Sequence, residues 1–156
     1  MPPMEGLRVV RSRIHGYGVI TTRPFREGEV ISTIDGIMYR AHERTDDRGT
    51  LWLDGDCYLD ILDQMRWLNH SCDPNIWIDA GVREDGTPWA RVVALRAIEP
   101  SEELTLDYAL EVNEAEPCSC GGPTCRGWIV DQQKFAEAEP LRAPAPRRVA
   151  GRRSGR

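Results

Sequence analysis

The sequence predicts a mostly β chain with few short helices, and three observations carry that expectation. Eight apolar or alternating segments of four to seven residues recur between Gly-, Pro- and Asp-bearing turns. Helical periodicity holds over only two brief stretches, and the long strand-helix-strand spacing of a doubly wound sheet is absent. The 156 residues match one domain, and the 40% hydrophobic content supplies one core. No apolar run is long enough to span a bilayer, so no membrane role is expected.

Taken in order, residues 7–10, 18–21, 29–34 and 50–53 read as strands because each alternates or runs apolar between turn residues. Asp54-Gly55-Asp56 is a tight turn into a strand at 57–61. Residues 76–79 and 89–95 flank Glu84-Asp85-Gly86-Thr87 and form the clearest hairpin, and a last strand covers 103–106. One short helical turn is expected within 62–68. A terminal helix is expected over 130–138, with Phe135 on its apolar face.

Charge divides the chain. Residues 1–139 hold 14 basic and 25 acidic groups, a balance of -11, whereas residues 140–156 hold six Arg and no acid. That tail also carries Pro140, Pro144 and Pro146 without apolar periodicity, so it is expected to be a disordered basic segment with at most a weak pull toward nucleic acid. Met1-Pro2-Pro3-Met4-Glu5 has no basic stretch leading into an apolar run, so a secretory leader is not expected. A reducing, cytoplasmic setting follows, or a nuclear one in a eukaryote.

Cysteine carries the strongest chemistry. Cys118, Cys120 and Cys125 form a C-x-C-x4-C cluster rich in Gly and Pro, a loop suited to folding thiolates around one ion. A closed tetrahedral zinc site needs a fourth ligand, and Cys72, Cys57 and His70 are candidates. Cys72 is favoured by its polar loop, while Cys57 reads as a small buried apolar residue on a strand. A second constellation, Asn69-His70-Ser71-Cys72-Asp73-Pro74-Asn75, follows Arg66-Trp67-Leu68, and polar groups at this density must find partners if buried. Alone it suits a structural knot better than a catalytic centre. Gly16-Tyr17-Gly18 makes a turn, or lets backbone approach a ligand closely.

Together these motifs resemble the SET-domain protein lysine methyltransferases with a post-SET zinc segment. The match covers about residues 5–130 and rests on Gly16-Tyr17-Gly18, the Arg66 to Asn75 block, Glu102-Glu103-Leu104-Thr105-Leu106-Asp107-Tyr108, and the Cys118 to Trp128 cluster, in that order. The resemblance implies a SET fold of small curved sheets around a pseudoknot over 5–112. It further implies a post-SET zinc segment over 113–130, after which the short helix read from the residue pattern occupies 131–139. It implies S-adenosylmethionine held by Gly16, Tyr17, Gly18, Asn69, His70, Tyr108 and Trp128, and Tyr108 as the catalytic residue. It also implies one structural zinc on Cys72, Cys118, Cys120 and Cys125, in agreement with the ligand choice above.

The implied reaction is methyl transfer to a lysine side chain of a protein substrate. Lysine must attack as a neutral amine, and from an ordinary pKa near 10.4 its neutralisation at pH 7 costs roughly 4.6 kcal/mol. An apolar channel and the nearby sulfonium both lower that pKa. Tyr58, Trp77 and Leu106 are the expected channel residues, although strand packing is the more usual use for Tyr58 and Trp77. The acidic body suits a basic substrate peptide. Three departures stand out: Ile34 and Leu106 replace aromatic residues common in relatives, and Ser101 replaces a common Gly. The first two motivate a competing expectation, a non-catalytic zinc-stabilised interaction module.

Overall fold

The computed structural model describes residues 4–43 and 49–137. The predicted basic tail at 140–156 lies outside the described residues. Twelve short strands and one α-helix appear among those described. In chain order they are β1 (Leu7–Arg11), β2 (Tyr17–Thr21), β3 (Val30–Thr33), β4 (Gly36–Arg40), β5 (Thr50–Asp54) and β6 (Cys57–Ile61). After them come β7 (Asn69–His70), β8 (Ile76–Val82), β9 (Pro88–Ala94), β10 (Thr105–Leu106), β11 (Glu116–Pro117), β12 (Trp128–Ile129) and α1 (Gln132–Glu137).

They form small sheets rather than one layer: β1-β2, β3-β9-β8, β4-β6-β5, β7-β10 and β11-β12. The mostly β expectation holds, and both predicted hairpins form, β5-β6 across Asp54-Gly55-Asp56 and β8-β9 beyond Gly86. The helical turn expected at 62–68 is a 3-10 turn, Gln64–Trp67, capped by Asp63, whose Oδ1 accepts from the Met65 N–H at 2.7 Å. Five strands differ from expectation: β4, β7 and the β11-β12 pair around the thiol-rich segment were not foreseen, and β10 shrinks to two residues of the expected four.

One core of Val19, Phe25, Leu59, Met65, Ile76, Val92, Ile98 and Leu104, each at most 2% exposed, fills the space between these sheets. A satellite of Val130, Trp128, Ala115 and Phe135 sits under α1, so Phe135 does occupy the apolar face predicted for it. Among the described residues no helix is long and apolar enough to cross a membrane.

The topology turns on a knot. β7 and β10 run parallel, pairing Asn69 with Thr105 and His70 with Leu106 across a long stretch of sequence, and the Ser71 N–H donates to Leu106 O at 3.0 Å and that of Asn75 to Thr105 O at 3.1 Å. Asn75, 2% exposed, locks the crossing: its Nδ2 donates to Glu103 O at 2.8 Å and Glu102 Oε1 at 3.0 Å, and its Oδ1 accepts from the Thr105 N–H at 2.8 Å. Replacing Asn75 with Ala strands a buried N–H and a buried carbonyl. Urea unfolding is expected to show a loss of about 2–3 kcal/mol, and a loss below about 0.5 kcal/mol would refute the lock.

Ser101 sits at φ +71°, a left-handed conformation that its side chain disfavours. The departure from Gly noted in the sequence is therefore a point of strain. Ser101→Gly is expected to stabilise the domain by about 0.5–1 kcal/mol, read as a higher urea midpoint at unchanged slope.

Candidate functional site

Three segments converge on the knot: residues 12–18, which run from the loop after β1 into the start of β2, then β7, and the residues that follow β10. Asn69 ties the first two. Its Nδ2 donates to Tyr17 O at 2.8 Å, His15 O at 3.2 Å and Glu103 Oε1 at 2.8 Å. Gly16 is exposed at φ +51° with no atom within 4 Å of the Cβ position, so its backbone is open to a ligand. Tyr17 lies edge-on to Trp67 at 5.4 Å beneath the Arg11 guanidinium at 4.8 Å and remains 44% exposed.

His70 is buried. Its Nδ1 accepts from the Tyr108 N–H at 3.1 Å, which leaves the ring proton on Nε2, 3.4 Å from Cys72 Sγ. Burial pushes the imidazole pKa down to about 4; the Asp107 carboxylate opposes that shift and the Arg126 cation adds to it. A neutral ring that orients backbone is its consequence.

Tyr108 follows β10 and is held at both ends, by His70 at its N–H and by its hydroxyl, which donates to Leu68 O at 2.6 Å. The residue is 41% exposed, but desolvation around its phenol, with the Glu116 and Glu103 carboxylates nearby, raises its pKa to about 12. It is a neutral phenol with oxygen lone pairs to offer. Leu106, two residues earlier, is partly buried against the core.

The four predicted thiols meet. Cys72, Cys118, Cys120 and Cys125 place their sulfurs within 4.8 Å of one another. A zinc ion with Zn–S near ~2.3 Å needs tetrahedral edges of about 3.8 Å, and Cys72 and Cys118 stand 3.8 Å apart. Backbone N–H groups aim at the sulfurs as thiolates require: Cys120 to Cys118, Arg126 to Cys72 and Gly127 to Cys125, each at 3.4 Å. Burial works to raise the Cys120 thiol, but hydrogen bonds from its neighbours bring it to about 7. Gly127, at φ +79°, makes the turn that aims its N–H. The donor set and spacing fit one metal ion. Cys57 is instead buried on β6, as its reading as a small buried strand residue expects, and Arg40 donates to its sulfur at 3.0 Å.

Arg126 was missed by the sequence reading. Its side chain is 9% exposed, and Nη2 donates to both Asp107 oxygens at 2.8 Å and to Val130 O at 3.1 Å. Asp107 lies 3.5 Å from His70 Nδ1, so one buried pair joins the thiol cluster to the residue before Tyr108. The signal was available: Arg126 is the one cation between Cys118 and Val130.

The remaining predicted residues spread out. Trp128 lies on β12 and packs on Val130, opposite Pro117 and one position from Glu116, whose charge reaches Tyr108. Tyr58 stacks on Tyr39 at 5.8 Å, in register between Tyr39 and Trp52 across the β4-β6-β5 sheet. Trp77 stands 45% exposed on β8 in a different sheet.

These features make the chain a small knotted β domain with an open backbone loop, a held phenol and a four-thiol segment able to hold one metal ion. The SET domain family matches residues 16–109, and the chain belongs to it; the thiol cluster fits a post-SET segment. Human histone-lysine N-methyltransferase 2B is 34% identical over 143 residues, covering 80% of this chain and 5% of that protein. Histone-lysine N-methyltransferase trithorax of Drosophila virilis is 33% identical over 78% of this chain and 4% of its own length. The chain thus spans a twentieth or less of these curated relatives. Among solved structures, KRYPTONITE in complex with DNA and SAH superposes with a TM-score of 0.70 at 23% identity, over 79% of this chain and 28% of that one, a likeness of fold.

Proposed function

We propose that this domain is an S-adenosylmethionine-dependent protein-lysine N-methyltransferase. The observation that carries the reading is the convergence of the open 12–18 loop, Asn69 and the held phenol of Tyr108 on one knot, within a SET domain. Relatives named as histone-lysine methyltransferases support the reaction, and a solved neighbour with an H3(1-15) peptide and SAH supports a lysine-bearing peptide substrate.

S-adenosylmethionine, when bound, supplies an electrophilic methyl on a sulfonium. The chain's own residues do the rest. Gly16 and Tyr17 offer exposed backbone and ring, Asn69 and His70 order the cleft, and Tyr108 offers its oxygen to the reacting groups while staying neutral. Leu106 and Trp128 are proposed for the channel on their proximity in chain and strand to Tyr108. Gly18 belongs to the cleft through its packing on Glu103. Tyr58 and Trp77, which lie in two other sheets, are proposed as channel walls on the family resemblance alone. No general base is required, because the channel and the sulfonium together lower the lysine pKa. The excess of acid over base in residues 1–139 favours a basic peptide. Residues 5–112 form the catalytic unit, and 113–130 form the zinc segment, with Cys72, Cys118, Cys120 and Cys125 as its ligands. Free thiols in this number suit the cytoplasm, or the nucleus of a eukaryote.

The test is labelling of purified histones and of a lysate with radioactive S-adenosylmethionine, alongside Asn69→Ala. A labelled protein band that depends on Asn69 is expected; no label on any protein, despite bound cofactor, refutes the reading.

A further inference from the structure

Gly16 and Gly18 look equivalent in sequence, but they meet different surroundings. Nothing lies within 4 Å of a Cβ built on Gly16, whereas one built on Gly18 would stand 2.2 Å from Glu103 Oε1 and 2.7 Å from its Cδ. Gly18 is glycine because the Glu103 carboxylate occupies the space of its side chain. That carboxylate is held by two neighbours: Oε1 and Oε2 share the Ser12 hydroxyl at 2.8 and 2.9 Å, and Oε1 accepts from Asn69 Nδ2 at 2.8 Å. Ser12 Oγ in turn accepts from the Ile14 N–H at 2.9 Å, so Glu103 also anchors the loop that carries Gly16 and Tyr17.

The same contacts settle how Asn69 faces the cleft. Three oxygens, those of His15, Tyr17 and Glu103, surround its Nδ2. A flipped amide would turn Oδ1 against a carboxylate and two carbonyls. Asn69 is 7% exposed, and its Oδ1 has no hydrogen-bond partner among the described residues, so it is left to accept from a ligand. An outward acceptor beside exposed loop backbone suits a ligand's ammonium group.

We infer that Glu103 is a positioning residue for the cofactor: it seats the 12–18 loop, fixes Asn69 Oδ1 outward as an acceptor for the cofactor's α-ammonium, and is the reason position 18 must be Gly. This rests on the functional reading above. It separates the two glycines: Gly16 serves the ligand and Gly18 serves Glu103.

The test is calorimetric titration of S-adenosylhomocysteine, and of its analogue lacking the α-amino group, into the full chain and its E103A, E103Q, G18A and G18A/E103A variants. Loss of one charge-assisted contact predicts about tenfold weaker S-adenosylhomocysteine binding by E103A, with much less change for the deaminated analogue. Overpacking predicts a roughly 5- to 100-fold loss for G18A alone and little further loss when E103A is already present. Equal weakening of both ligands by E103A, or an equal cost of G18A in both backgrounds, overturns the inference while the functional reading stands. If E103A does not fold, E103Q keeps the volume and carries the two-ligand comparison. Failure of the unsubstituted chain to bind S-adenosylhomocysteine overturns both.

Discussion

Tyr108→Phe is expected to lower the rate of methyl transfer by about 10²- to 10³-fold while leaving cofactor affinity within about threefold, the signature of a group that acts on the transition state. The phenol donates its proton to Leu68 O, so in the proposed reaction the oxygen has only its lone pairs to offer the reacting groups. Phe keeps the ring and its edge contact with His70, 5.5 Å between centroids, and removes only that oxygen. The pH profile separates this role from that of a base. Burial raises the Tyr108 pKa to about 12, so the phenol stays protonated through the assay range, and the rise of kcat/KM with pH comes from deprotonation of the lysine substrate. The variant is therefore expected to keep the alkaline rise at a lower plateau. Linkage sets the stability trend: a pKa raised in the folded state favours folding below the unfolded value near 10, and that contribution fades as pH climbs from about 10 to 12. If Tyr108→Phe abolishes the pH dependence, the tyrosine is a base and the neutral-phenol account fails.

Much of the fold was legible because its hairpins are local. β5-β6 and β8-β9 announce themselves by alternation around Gly-bearing turns, and the structure pairs them in the expected places. β4 was not legible for the opposite reason. Gly36-Ile37-Met38-Tyr39-Arg40 has little β signal of its own and becomes a strand by pairing with β6 and placing Met38 against the core. β10 is short because after Leu106 the chain leaves its partner to hand Asp107 to Arg126 and Tyr108 to His70. A parallel pairing between segments so far apart in sequence has no turn to mark it, and only the family resemblance pointed to the knot. The thiol cluster was the most legible part of the site, since ligand spacing is a local pattern, and even the distant Cys72 could be argued from its polar loop. Glu103 was harder: in Glu102-Glu103 the two carboxylates are indistinguishable by type, yet one ties Arg96 and Asn75 while the other ties Ser12 and Asn69.

Removal of the metal is expected to have the largest effect of any perturbation, and to be selective. The segment from Ala115 to Phe135 has a satellite cluster with a single fully buried residue, Val130, and a two-residue strand pair, too little burial to order a thiol-rich loop alone. Zinc on four thiolates contributes on the order of 10 kcal/mol or more to such segments, so for them metal binding and folding are one event. Chelation, or Cys118→Ser, which lies outside the knot, is expected to take bound zinc from about one per chain to none. Backbone amides from Cys118 to Asp131 should then exchange with solvent within minutes, while those of β8 and β9, buried in the main core, stay protected. The loss would reach the knot through Arg126, whose N–H bonds Cys72 and whose guanidinium bonds Asp107 beside His70. Asp107 would then lose its cationic partner and Tyr108 its restraint, so methyl transfer should vanish although the main core remains folded. Hydrogen exchange coupled to metal analysis decides the matter. A metal-free chain that keeps the Cys118 to Asp131 amides protected would show that the segment folds on its own packing, and the thiols would then need another explanation.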